Sequence, residues 1–173
     1  NGKTIQTEIN EEQAKILGLT IDKPKTGYER GEECNDEYYY LVDVDSEVKR
    51  IKKTYSTLDR DCYDVGNYYS NKTIAENNAR ADRLLRQLRQ WQALNDKPIS
   101  VEDWNNESKK KWFIIYSYSS EEMYAEYYYI MRLPNTIYFA TKEKAEEAIK
   151  VFEDELLWYF TEYVQRLDEM QND

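Results

Sequence analysis

Histidine is missing altogether from these 173 residues. Its absence removes the commonest general base, the commonest metal ligand and every histidine-based triad. No GxxxxGK[ST], GxGxxG or GxSxG pattern occurs either, which excludes phosphate-cradling loops and nucleophile elbows of those types. Glycine and proline number five and three, too few for long flexible linkers. The two cysteines, Cys34 and Cys62, stand far apart with no CxxC. Such a pair is not a secreted disulfide framework, and both are expected as free thiols in a reducing compartment. No apolar run approaches a membrane span, and the opening residues lack a charged-then-apolar leader pattern.

What the chain does hold is acid and tyrosine. Thirty-four acidic against 24 basic residues leave a net charge of −10, and there are 17 tyrosines beside four Trp and four Phe. At long range this charge repels free nucleic acid and anionic membranes, and attracts a basic or nucleic-acid-binding protein. Hydrophobic content of 40% is enough for one folded domain, or two small ones sharing a core.

The pattern along the chain predicts an α+β fold with an internal repeat. Ile5, Thr7 and Ile9 fall on one face of a short strand. Asn10 and Gln13 then form a capping pair for a helix that stops at Gly18. Residues 1–24 are thus read as an N-terminal strand and short helix. Residues 25–95 read as a first module of three antiparallel strands and one helix. Its strands are Tyr38 to Val42, Val48 to Tyr55 and Asn67 to Tyr69, and Asn71 caps a helix running through Trp91. Residues 96–111 form a connector. Residues 112–173 repeat the module, with strands Trp112 to Tyr116, Met123 to Met131 and Thr136 to Phe139, and with Thr141 capping a helix through Phe160. Tyr68-Tyr69-Ser70-Asn71-Lys72 aligns with Tyr138-Phe139-Ala140-Thr141-Lys142.

Three constellations carry candidate chemistry. Asp43, Asp45 and Glu47, or Asp59, Asp61 and Asp64, are the carboxylate sets a metal would use. Val48 stands where an EF-hand needs Gly, so the first set reads as a solvated hairpin tip; neither metal nor cofactor is expected. The second constellation is Arg80, Arg83, Arg86 and Arg89, which fan over about half a helix circumference. They suit phosphate contact, or ion pairing with the acidic second helix. That helix carries the third constellation, Glu146, Glu147, Glu153, Asp154 and Glu155, which could imitate a row of phosphates or be a plain solvated face. The strand tyrosines, Tyr39 and Tyr128 among them, are either amphipathic core filler or partner contacts.

Tyr127-Tyr128-Tyr129-Ile130, followed by Tyr138-Phe139-Ala140-Thr141-Lys142-Glu143-Lys144-Ala145-Glu146-Glu147-Ala148-Ile149, resembles small acidic accessory proteins of Gram-positive phages and mobile elements. The likeness spans roughly residues 25 to 163 and is closer in the second module, because Thr73, Ile74, Asn77 and Asn78 depart from the pattern. It implies a setting in the cytoplasm of a bacterial host and the company of anti-CRISPR and other anti-defence proteins. The leading expectation is a non-enzymatic inhibitor that binds a host nucleic-acid-handling protein. One alternative is a nucleic-acid-binding module built on Arg80 to Arg89. Another is an assembly protein that forms homo-oligomers through tyrosine-rich sheets.

Overall fold

A computed structural model describes residues 11–18, 25–30 and 37–171. The expected strand over residues 4–9, the Asn10 cap and Cys34 lie outside that set. The first described element is α1 (Glu11–Ile16), closed by Gly18 at φ 69°, a backbone region open to glycine.

Strand formers build the first hairpin from β1 (Tyr38–Val42) and β2 (Val48–Lys52), with Tyr40 opposite Arg50. Its turn consumes the acidic tip. Asp43 accepts from Val44 N–H, Asp45 accepts from Glu47 N–H, and Glu47 pairs with Lys49 at 2.6 Å. A helix that the sequence reading missed follows, α2 (Thr57–Asp64). Then comes α3 (Lys72–Asn95), where the Asn71 side chain accepts from Ile74 N–H as expected. A short α4 (Val101–Asn105) lies inside the connector.

The second hairpin is β3 (Lys111–Ser117) with β4 (Glu122–Tyr128), Phe113 opposite Glu126. Thr141 caps α5 (Lys142–Val151), its hydroxyl accepting from Lys144 N–H. At Phe152 the backbone leaves helical geometry and α6 (Glu153–Thr161) begins. The single second-module helix of the sequence reading is therefore two. Glu153, Asp154 and Glu155 occupy the first turn of α6, where carboxylates complement the positive end of the helix dipole. A 3₁₀ turn over Leu167–Gln171 ends the described chain.

The mixed helix-and-sheet class holds, but the three-stranded sheets do not. Among the described residues each sheet has two strands. The segments expected as third strands reduce to single bridges, Tyr40 with Tyr69 and Trp112 with Phe139. The cause is local: two residues after each bridge the chain must already supply the N-cap of a helix, so no length remains for a ladder.

The two halves share their interior. Leu84 and Leu88 of α3 pack with Ala125, Phe139, Ala145, Ala148 and Leu156 of the second half. In return, Val164 and Leu167 pack against Tyr69, Ile74 and Ala75 of the first. Asn77 Nδ2 donates to the Val164 carbonyl, and Leu167 N–H to that of Thr26, fastening the C-terminal segment across α3.

Candidate binding groove at the open edge of the second hairpin

Both bridges are closed by paired main-chain bonds. Tyr40 and Tyr69 exchange N–H···O bonds of 2.8 and 2.9 Å, and Trp112 and Phe139 exchange bonds of 3.0 and 2.7 Å. Successive residues of a strand point their N–H and C=O to opposite edges. Tyr38, Tyr40 and Val42 therefore face one edge of the first hairpin, and Trp112, Ile114 and Tyr116 the corresponding edge of the second.

At that edge the halves diverge. Asn67 lies two residues before Tyr69, and its side-chain amide stands in for a strand residue. Val42 N–H donates to Asn67 Oδ1 at 2.7 Å, and Asn67 Nδ2 donates to the Val42 carbonyl at 2.9 Å. The matching positions in the second half are Ile114 and Ile137, and isoleucine has no such amide. No hydrogen bond crosses this edge to Ile114 or Tyr116 among the described residues.

An apolar cavity of about 290 Å³ opens there. Its walls are Leu84, Leu85 and Leu88 of α3, residues 113–115 of β3, residues 133–137, and Leu156, Tyr159 and Phe160 of α6. Beyond residues 135–137 it adjoins a polar groove that includes Arg89, Gln92, Trp104 and Arg132. Leu85, Arg89 and Gln92 fall at i, i+4 and i+7, one face of α3. The wall thus passes from apolar to cationic. Arg132 lies 4.9 Å from the Trp104 ring centre, and neither Arg89 nor Arg132 makes an ion pair among the described residues.

The residues singled out in the sequence are dispersed by the fold. Arg80 forms a two-pronged pair with Glu155, at 2.9 and 3.0 Å, and lies 3.9 Å from the Trp158 ring centre. Their hydrogen bonds hold the Glu155 carboxyl below its ordinary range and raise Arg80. Arg86 donates to Ser46 Oγ at 2.7 Å, while Arg83 and Arg89 are exposed. Glu146 pairs with Lys142 and Glu147 with Lys144; Glu153 and Asp154 remain exposed. Only part of the acidic row is therefore presented to solvent unpaired.

Tyr39 is fully buried, stacked on Tyr68 at 4.4 Å, and its hydroxyl donates to Asp59 at 3.2 Å. Burial raises its phenol pKa. It is a core residue in this structure, without surface to offer a partner. Tyr128 is half-buried on Phe113. Asp59 also accepts from Thr54 and Ser56 N–H, so it serves the α2 terminus rather than a carboxylate cluster. No grouping of three or more metal-ligating side chains occurs among the described residues.

The groove itself escaped the sequence reading, and a signal for it was present. Extending the alignment of Tyr68 with Tyr138 back by one residue sets Asn67 against Ile137, a polar residue against an apolar one next to a strand bridge. Cys62 is a buried free thiol. No helix among the described residues is long and apolar enough to cross a membrane. No protein-family model, curated protein or solved structure matches this chain.

Proposed function

We propose that this chain is a non-enzymatic protein-binding factor of a phage or mobile element that inhibits a host nucleic-acid-handling defence protein. The observation that carries the binding part is the open β3 edge beside an apolar cavity. Free main-chain donors and acceptors next to a pocket for side chains are the components of strand addition by another polypeptide. Leu133 of the cavity wall is exposed, as are Tyr129, Ile130 and Met131 just before it in the chain, a run of apolar surface suited to protein contact. The resemblance to anti-defence accessory proteins supports the setting and the inhibitory role.

Affinity capture from a Gram-positive host lysate tests this reading when paired with a functional readout. The expected result is capture of one nucleic-acid-handling protein whose binding to its own nucleic acid falls as the chain is added. Capture of nothing, or of a protein whose activity is unchanged, overturns it. Reversing Glu153 and Asp154 to Lys tests the acidic contribution without touching Glu155, which is tied to Arg80.

The nucleic-acid-binding reading retains one supporting observation, the exposure of Arg83, Arg86 and Arg89 along α3. It requires salt-sensitive retention of labelled oligonucleotides, and no retention at low salt removes it.

A further inference from the structure

We propose that the groove on the second hairpin receives an extended segment of the partner protein bearing an apolar side chain and, two residues on, an acidic one. The inference rests on the protein-binding reading and specifies the ligand chemistry of its site.

Three observations set the occupant. The N–H and C=O of Ile114 and Tyr116 face an edge where nothing among the described residues pairs with them, and a polypeptide backbone supplies the complementary donor and acceptor. An acyl chain has no such groups, so the edge favours a peptide over a lipid. The cavity beside it is lined by aliphatic and aromatic side chains, which suits a side chain of leucine size. The same α3 wall then reaches Arg89, with Arg132 across the adjoining groove, and both guanidiniums lack a carboxylate among the described residues.

The spacing follows from helix and strand geometry. Leu85 and Arg89 are four residues apart on α3, an axial rise of about 6 Å. Two residues of extended chain advance about 6.6 Å and place both side chains on one face. A segment following this wall with its apolar residue beside Leu85 brings the residue two positions later beside Arg89. The arginines favour Asp or Glu there. Although the whole chain is acidic, the charge met by the ligand at this site is positive.

The first half shows how such an edge is shut. The Asn67 amide occupies both main-chain groups of Val42. Placing Asn at 137 transfers that device to the second half, where it would bridge Ile114 and compete with an incoming backbone.

The test is fluorescence anisotropy with a tagged, end-blocked heptapeptide, Ser-Val-Leu-Ser-Glu-Val-Ser, against the full chain. Saturable binding is expected, at least tenfold weaker when Glu in the peptide is replaced by Lys. Methylating the peptide nitrogens that face the edge is expected to abolish binding, and this arm leaves the protein unaltered. Ile137→Asn is expected to weaken binding tenfold or more with a thermal unfolding transition lowered by only about 2–4 °C, and Arg89→Glu to reverse the preference between Glu and Lys peptides. Equal affinity for both peptides, or full binding of the methylated one, overturns the proposal. So does a mass near twice 20.9 kDa that collapses to one copy in Ile137→Asn, since a second copy then holds the edge. If no peptide binds while lysate capture with inhibition persists, the ligand chemistry falls and the protein-binding reading stands. If capture fails as well, both fall.

Discussion

Tyr39 and Lys111 each directly precede a bridge residue, Tyr40 in the first half and Trp112 in the second, and both are fully buried. The first half closes its site with aromatic stacking and one hydroxyl-to-carboxylate bond to α2. The second half buries an ammonium group. Lys111 Nζ donates to the carbonyls of Asn106 at 2.9 Å, Trp104 at 3.5 Å and Tyr129. Three donors thus meet three acceptors, satisfying the group's full valence without a counter-ion. In both halves a short helix supplies the partner, but α2 follows its hairpin whereas α4 precedes its own. The polar tip has to be matched inside; the chain position of the matching element is free to vary.

Removing the lysine tests that comparison most severely. Lys111→Met keeps an unbranched apolar stem but strands three carbonyls, and is expected to lower unfolding free energy by about 3 kcal/mol. Tyr39→Phe leaves Asp59 bonded to Thr54 and Ser56, and should cost about 1 kcal/mol. Urea unfolding of both variants measures the difference. Equal losses would mean that the halves solve the site with equal leverage.

The open edge offers the next contrast. Asn67→Ile gives the first half the residue of the second and removes both bonds to Val42, for an expected loss of about 2 kcal/mol. Ile137→Asn makes the reverse exchange at a cavity wall where Ile137 also packs on the shared core, and should cost about 1 kcal/mol. A large destabilisation by the second variant would show that residues 133–137 pack against β3 rather than leaving a gap.

These contrasts also mark what the sequence made legible. Both hairpins, the full run of α3 and the caps Asn71 and Thr141 follow from local rules of strand propensity and helix capping. The third strands were misjudged because Asn67-Tyr68-Tyr69 and Thr136-Ile137-Tyr138-Phe139 have strand composition but only one residue of each completes a bridge. Composition does not report how soon a chain must turn into a helix. α2 was hidden because it is short and mostly polar; its one-face pair is Leu58, which is exposed, and Cys62, which is buried. Its Ser56-x-x-Asp59 capping box was a signal present in the sequence, whereas the bond from Tyr39 to Asp59 forms only on folding. For the candidate groove, the Asn67 and Ile137 difference lay in the sequence, while its meaning depended on which edge those residues face.

The caps are a finer comparison, since Asn71 and Thr141 occupy matching positions with side-chain bonds of 3.1 and 3.3 Å. Alanine at either site is expected to cost about 1 kcal/mol. Both helices also begin with matched ion pairs, Lys72 with Glu76 and Lys142 with Glu146, each at 3.0 Å, so neither cap is backed by a stronger first turn. α3 is the longer helix and contributes to the interiors of both halves. Loss of the Asn71 cap should therefore fray residues shared by the whole molecule, whereas loss of the Thr141 cap should fray α5 alone. Amide exchange near Lys72 and Lys142 separates the two.

Glu29 extends the comparison to pH, and it belongs to the first half alone. Partial burial pushes its carboxyl upward, but hydrogen bonds from the Thr26 amide, the Ser70 hydroxyl and the Thr26 hydroxyl outweigh that, bringing it down to about 2. A carboxyl whose folded value lies below its unfolded value stabilises the fold above the unfolded value, about 4.3. That contribution is lost as pH falls from there toward 2. Ser70 N–H also donates to the Gly27 carbonyl, and Gly27, at φ 95°, would bring any added Cβ to 2.9 Å of Ile74. Protonating Glu29 therefore loosens residues 26–29 where they press on the start of α3. Acid unfolding of the wild type should begin in the first half, reported by exchange at Ile74 before Ala145. Glu29→Gln should remove much of the difference between pH 4.5 and pH 2.5, and an unchanged acid profile in that variant would place the acid-sensitive group elsewhere.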